Sequence, residues 1–180
     1  GAHEVIIESP EHCRSLTELS DDHVRLVFEA FQMRLNHWRA HDALHYAVVF
    51  KNVGPEAGAS LSHSHSQLIA TNFVPPDVLR SCGRLQSFYQ EQGFGYFTDL
   101  IKRELEHGER IICETEHFAA ITPYASQIPY MICLVPKKDQ ARFEEIHRAD
   151  VTELAWLVRR LLRSFETLLP EAAYNFVLHT

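Results

Sequence analysis

Short runs of β-forming apolar residues alternate along this chain with longer stretches whose apolar positions recur at helical spacing. Val5-Ile6-Ile7, closed by Ser9-Pro10, predicts a short buried strand. Ser20 then stands ahead of two acids, Asp21 and Asp22, as a helix start does. Val24, Val27, Phe28, Phe31, Leu35 and Trp38 follow on one apolar helix face. His45 to Phe50 is rich in strand formers. Gly54-Pro55 marks a turn and Gly58-Ala59-Ser60 a second flexible point. Leu68-Ile69-Ala70 and Phe73-Val74 predict another strand, stopped by Pro75-Pro76.

Residues 77–108 read as two helices broken around Gly93 and Gly95. Arg110 to Cys113 and Phe118 to Ile121 read as a strand pair, and Tyr130 to Val135 as a third strand. A long helix opens at Ala149-Asp150, with Val151, Leu154, Leu157, Val158, Leu161, Leu162, Phe165 and Leu168 on its apolar face. Tyr174 to Leu178 is a final strand.

The order strand, proline, loop, helix, strand occurs twice. Tyr46 lies 22 residues after Val24, and Tyr174 lies 23 after Val151. Few identities accompany the spacing, so an internal repeat stands beside two independent β-loop-α-β units as its explanation. The expected architecture is α+β, two related halves of antiparallel sheet flanked by helices. The division expected is a first half over 1–76, a helical connector over 77–108 and a second half over 109–180. Each half lacks a part that the other has, so the chain is expected to belong to a longer protein.

Composition narrows the function. A formal net charge of -7 argues against nucleic-acid binding by bulk positive charge. No apolar run reaches membrane-spanning length, so no membrane partner is expected. Cys13, Cys82, Cys113 and Cys133 contain no CxxC pair, and no signal peptide is visible, so a reduced, cytoplasmic location is expected. Twelve histidines in 180 residues are more than common usage, which points to histidine chemistry or metal binding.

The histidines concentrate at Ser62-His63-Ser64-His65-Ser66-Gln67. In an extended strand alternate residues share a face, so His63, His65 and Gln67 are predicted to point one way. A neutral imidazole is a good nucleophile toward an α-phosphate, provided that a fixed acceptor holds its other nitrogen as N–H. Gln67 can donate to a phosphate or leaving-group oxygen but cannot give up a proton near neutral pH. Gly58, Ala59 and Ser60 are small enough to bring backbone N–H groups to phosphates, and Ser60 adds a hydroxyl. The bland readings are half of a metal site, or a polar strand without function.

At these residues the chain resembles the galactose-1-phosphate uridylyltransferase-like branch of the histidine-triad superfamily, close to its ADP-glucose phosphorylase-like members. Phe50-Lys51-Asn52 and Gly58-Ala59-Ser60-Leu61-Ser62-His63-Ser64-His65-Ser66-Gln67 carry the resemblance. His3 to Ile7, Ser9 to His12, Glu114-x-x-His117-Phe118, Pro136-Lys137 and Tyr174-Asn175 with Leu178-His179-Thr180 extend it. The resemblance implies a histidine-triad-like fold and a nucleotidyltransferase acting on a nucleotide sugar and a sugar 1-phosphate. By it, His65 is the nucleophile that becomes nucleotidylated, and Gln67 holds the phosphate with Asn52 and Ser60 assisting. His12 and His63 are two of four zinc ligands, the other two being a Cys pair that does not occur here. A homodimer is expected on the same basis. A second metal site is doubtful: the family's second CxxC is replaced around Gly95 to Ile101, and the acid that some galactose enzymes use falls on Ser81. His117 and His179 are then leftover partners of that lost site or, as expected here, buried structural histidines.

Two other readings stay open. A histidine-triad hydrolase would place a third histidine where Gln67 stands. A non-catalytic remnant would bind nucleotides without transferring them.

Overall fold

The computed structural model describes residues 1–180, which fold as two spatial units: residues 1–74 with 141–180, and residues 75–140. In the first unit β1 (Ala2–Ile7), β3 (His65–Thr71), β2 (Tyr46–Val53) and β7 (Tyr174–Leu178) form one sheet in that order, every neighbouring pair antiparallel. Helices α1 (Asp21–Arg39) and α4 (Arg148–Leu168) belong to the same unit.

The sequence explains α1 closely. The Ser20 hydroxyl accepts a hydrogen bond from the His23 N–H, satisfying a donor that the helix start leaves open. Asp21 and Asp22 complement the positive end of the helix. Val24, Val27, Phe28, Phe31 and Leu35 are all buried, as their spacing predicts. Fully burying each such side chain stabilises the fold by about 1.5–3 kcal/mol. Trp38 instead sits at the margin and donates its indole N–H to Glu4 at 2.9 Å. Val49, Leu68 and Ala70 are buried on one face of the sheet. By alternation Glu4, Ile6 and Glu8 of the β1 strand line and Ser64 and Ser66 of the β3 line share this back face. His65, Gln67 and Ile69 lie on the front.

The repeated elements pack on each other. α1 lies against α4, the 3-10 turn Leu16–Glu18 against α4, and the 3-10 turn Phe143–Glu145 against α1. β2 pairs with β7 so that Val49 faces Leu178 and Phe50 faces Val177. Counted from Tyr46 and Tyr174, Leu178 corresponds to Phe50 and Val177 to Val49. The pairing therefore exchanges matching positions, as a local twofold axis between the two strands requires.

In the second unit α2 (Pro76–Gln92) and α3 (Tyr96–His107) precede an antiparallel sheet of β4 (Ile111–Glu114), β5 (Phe118–Ile121) and β6 (Cys133–Pro136). The break expected near Gly93 is there: Gly93 ends α2 at φ +81°, a conformation that a side chain disfavours. Ile101, Ala119, Ile121 and Val135 form this unit's core.

Some boundaries differ from expectation. The Phe73-Val74 run is not strand: β3 ends at Thr71, whose hydroxyl donates to the Phe73 carbonyl. The chain changes spatial unit after residue 74, close to the expected 76, and returns to the first unit at residue 141 rather than dividing at 108, because α4 and β7 pack on α1 and β2. No helix is long and apolar enough to cross a membrane.

Candidate active site

His65 opens β3 opposite Ile7 and is only 6 % exposed. Its Nδ1 lies 2.8 Å from the His63 carbonyl oxygen. A carbonyl can only accept, so Nδ1 carries the proton and Nε2 keeps its lone pair. Gln67, two residues on, shares the front face. Its Oε1 lies 2.9 Å from His3 Nε2, which leaves the amide N–H groups of Gln67 free to donate elsewhere.

His63 does not join this row. It precedes β3, and its Nε2 donates instead to the Ser9 carbonyl at 2.8 Å. The predicted line of two imidazoles and an amide is thus one imidazole and one amide on the strand, with His63 drawn to the loop after β1. There the His12 and His63 rings meet edge to face, their centroids 5.3 Å apart. His63 Nδ1 remains able to coordinate a metal. However, no third His, Cys, Asp or Glu completes a group with them. Zinc takes four N or S donors in a structural site, so the residues of this chain do not make one by themselves.

The turn between β2 and β3 is tightly closed. Gly54 accepts from the N–H groups of Ala57 and Ala59, both at 3.1 Å, and Pro55 accepts from Gly58 at 2.9 Å. The N–H groups of Gly58 and Ala59, expected to face phosphates, are therefore spent inside the turn, whereas Ser60 makes no hydrogen bond within the chain. Gly58 stands at φ +85°, where a side chain is strained, and a Cβ there would come within 3.6 Å of Asn52 Nδ2. Asn52 is thus beside the turn, its Oδ1 accepting from Asn175 Nδ2 at 2.7 Å.

Behind His65 lies a sealed ionic network. Lys51 and Glu8 have side chains 1 % and 0 % exposed and pair at 2.6 Å. Lys51 Nζ also donates to Ser64 Oγ at 2.9 Å and to the backbone carbonyl of His65 at 3.0 Å. The hydroxyls of Ser64 and Ser66 both donate to Glu8. Burial pushes the Lys51 pKa down, and Glu8 opposes that shift. Burial raises the Cys13 thiol pKa, so this cysteine stays protonated near neutral pH.

Sequence reasoning missed His3, Glu8, Lys51 and Asn175 as parts of this arrangement. Lysine and glutamate read as surface residues by type. Only the pairing of β1, β2 and β3, which joins distant segments, buries them together.

Residues 1–75 match the family model for the galactose-1-phosphate uridyl transferase N-terminal domain, and residues 82–179 that for its C-terminal domain. ADP-glucose phosphorylase of Arabidopsis thaliana is 31 % identical over 180 residues, which is 100 % of this chain and 50 % of that protein. Galactose-1-phosphate uridylyltransferase of Haemophilus influenzae is 30 % identical over 168 residues, 93 % of this chain and 48 % of that protein. A crystal structure of the Arabidopsis thaliana ADP-glucose phosphorylase with bound ADP-glucose aligns with a TM-score of 0.90 at 31 % identity, covering 99 % of this chain and 56 % of that one. The chain spans about half the length of the curated relatives it matches. With both domain models matched in order along one polypeptide, the chain belongs to the galactose-1-phosphate uridyl transferase family.

Proposed function

We propose that this protein is a nucleotidyltransferase that moves a nucleoside monophosphate from a nucleotide sugar to a sugar phosphate or phosphate, with His65 as covalent carrier. His65 Nε2 attacks the α-phosphorus. The bond from that phosphorus to the bridging oxygen breaks, and its electron pair leaves with the sugar 1-phosphate. The acceptor's phosphate oxygen then attacks the same phosphorus, the P–N bond breaks, and the imidazole is regained. While nucleotidylated, the ring is cationic, and its Nδ1–H bond to the His63 carbonyl disperses that charge. This bond is the observation that carries the proposal, because it fixes the nucleophilic tautomer before substrate arrives.

Gln67 fits transfer better than hydrolysis. A departing phosphate is already anionic and needs no proton, so an amide that steadies its oxygens suffices. Attack by water, in contrast, is helped by a group that titrates. The named relatives, ADP-glucose phosphorylase and galactose-1-phosphate uridylyltransferase, support the substrate class: nucleotide sugars with phosphate or a sugar 1-phosphate as acceptor.

Zinc enters this proposal as a structural ion only, with His12 and His63 giving two of its donors and two more needed from elsewhere. The resemblance also supports a homodimer, and the scattered cysteines without a CxxC pair support a cytoplasmic location. Incubating the intact protein with nucleotide labelled in the α-phosphate of UDP-glucose or ADP-glucose tests the core of the proposal. Acid-labile label should appear on His65 and vanish in His65→Asn. Release of free nucleotide without bound label favours hydrolysis, and no reaction with either substrate overturns the proposal. Metal analysis and sedimentation of the same preparation test the ion and the dimer.

A further inference from the structure

One element of the arrangement comes from the far end of the chain. β7 pairs with β2 so that Asn175 stands directly opposite Asn52. The Asn175 side chain makes two contacts there: its Nδ2 lies 2.7 Å from Asn52 Oδ1 and 2.9 Å from the Ala57 carbonyl oxygen. The Ala57 carbonyl can only accept, so the atom facing it must be the amide nitrogen of Asn175. That settles which way round the Asn175 amide stands. The atom of Asn52 facing the same nitrogen must then be an acceptor, its Oδ1. By elimination the Asn52 Nδ2 group, with both of its N–H donors, is directed away from β7. Beside it lies Gly58, whose added Cβ would meet that nitrogen at an ordinary contact of 3.6 Å.

The same strand braces the turn a second time. A Cβ at Gly54 would come within 2.9 Å of the Ala173 Cβ, so the residue just ahead of β7 lies against the glycine that opens the turn. Ala57, held by Asn175, lies in that turn, and Ser60 follows it.

We infer that Asn175 is a positioning residue for nucleotidyl transfer: it locks the Asn52 amide with its donors toward the phosphate and pins the turn that leads to Ser60. This rests on the reading of His65 as carrier and of Asn52 as a phosphate ligand. Asn175 touches no substrate atom and acts through Asn52. The arrangement therefore draws on both family domains. Asn52 lies in residues 1–75, and the group that orients it lies in residues 82–179.

The test uses Asn175→Asp and Asn175→Ala in the intact protein, each also in an Asn52→Ala background. Aspartate keeps the shape but has no donor. The Asn52 amide then turns its Nδ2 toward the new carboxylate and presents an oxygen to the phosphate. The rate of His65 labelling at saturating nucleotide sugar should fall about ten- to a hundredfold, the range for a lost hydrogen bond to a charged group. Asn175→Ala, which leaves Asn52 free to turn either way, should lose less. In the Asn52→Ala background neither substitution should slow labelling further. Simple charge repulsion from aspartate would persist in that background, and a merely structural effect would follow the thermal midpoints of the variants. Either of those results, or wild-type labelling by Asn175→Asp, overturns the inference while leaving His65 as carrier. Absence of label on wild-type His65 overturns the underlying reading itself.

Discussion

The two faces of β3 do opposite things with the same short stretch of chain. On the front, His65 and Gln67 present groups whose bonding is deliberately incomplete: one ring nitrogen and one amide nitrogen are left for a ligand. On the back, Ser64 and Ser66 are bonded into Lys51 and Glu8, where each charge has its partner and neither sees water. The comparison teaches how a strand can hold an imidazole with one free nitrogen without yielding. The front keeps open valences because the back closes all of its own, and Lys51 joins the two by holding the His65 carbonyl at 3.0 Å.

The largest effect expected from breaking this division is on the back. Lys51→Met strands the Glu8 carboxylate in a sealed site, and removing one partner of a buried pair costs about 3–5 kcal/mol. Chemical denaturation of the intact protein should show that loss. Glu8→Gln combined with Lys51→Met removes both charges while keeping an acceptor for the serine hydroxyls, and should recover about half of the loss or more. A single Lys51→Met protein as stable as the wild type would show that the pair is not sealed.

The front face should respond in the other currency. Gln67→Ala removes the donor that the proposed mechanism assigns to the phosphate and should slow His65 labelling about tenfold. The thermal midpoint should scarcely move, since the only bond lost within the chain is the exposed one to His3. A Gln67→Ala protein that melts early yet labels at the normal rate would exchange the roles assigned to the two faces.

How much of this could be read from the sequence follows the range of the interactions. α1 was legible because its cap, its first-turn acids and its apolar face all lie within one helix. That His65 needs a fixed acceptor was legible from the chemistry expected of it, whereas the acceptor itself, the His63 carbonyl, was supplied by the structure. His63 itself broke the alternation because Ser9, in a segment 54 residues earlier, captures its ring. Lys51 with Glu8, and Asn52 with Asn175, are separated by 43 and 123 residues. Their meeting depends on which strands pair and in what register, which local periodicity does not specify. The repeat offered a clue to the second meeting. Two matched strands with exposed backbone edges complete each other, and β2 and β7 do so in the register that places the two asparagines face to face.

A milder contrast exists along the back face itself and gives the smallest expected effect. Glu4 and Glu8 lie on the same side of β1, yet Glu8 is sealed whereas the Glu4 pair lies at the rim. Arg34 holds Glu4 with two bonds, Nε to Oε2 at 2.8 Å and Nη2 to Oε1 at 2.5 Å, and Trp38 adds a third. The Arg34 hydrogen bond, against opposing burial, holds the Glu4 carboxyl below its ordinary pKa of 4.5. A carboxylate whose pKa is lower folded than unfolded stabilises the fold fully above the unfolded value, and that gain is lost as pH falls through the folded value. The stability advantage of the wild type over Glu4→Gln should therefore be flat at neutral pH and shrink below about pH 4.5. At neutral pH it should amount to about 1 kcal/mol or less, because solvent screens a rim pair, and it should fall further in high salt. Denaturation of both proteins from pH 7 down to about pH 3 measures this directly. An advantage that grows on acidification would mean that Glu4 is held in its protonated form. An advantage as large as the Lys51→Met loss would mean that the rim pair is as sealed as the pair beneath His65.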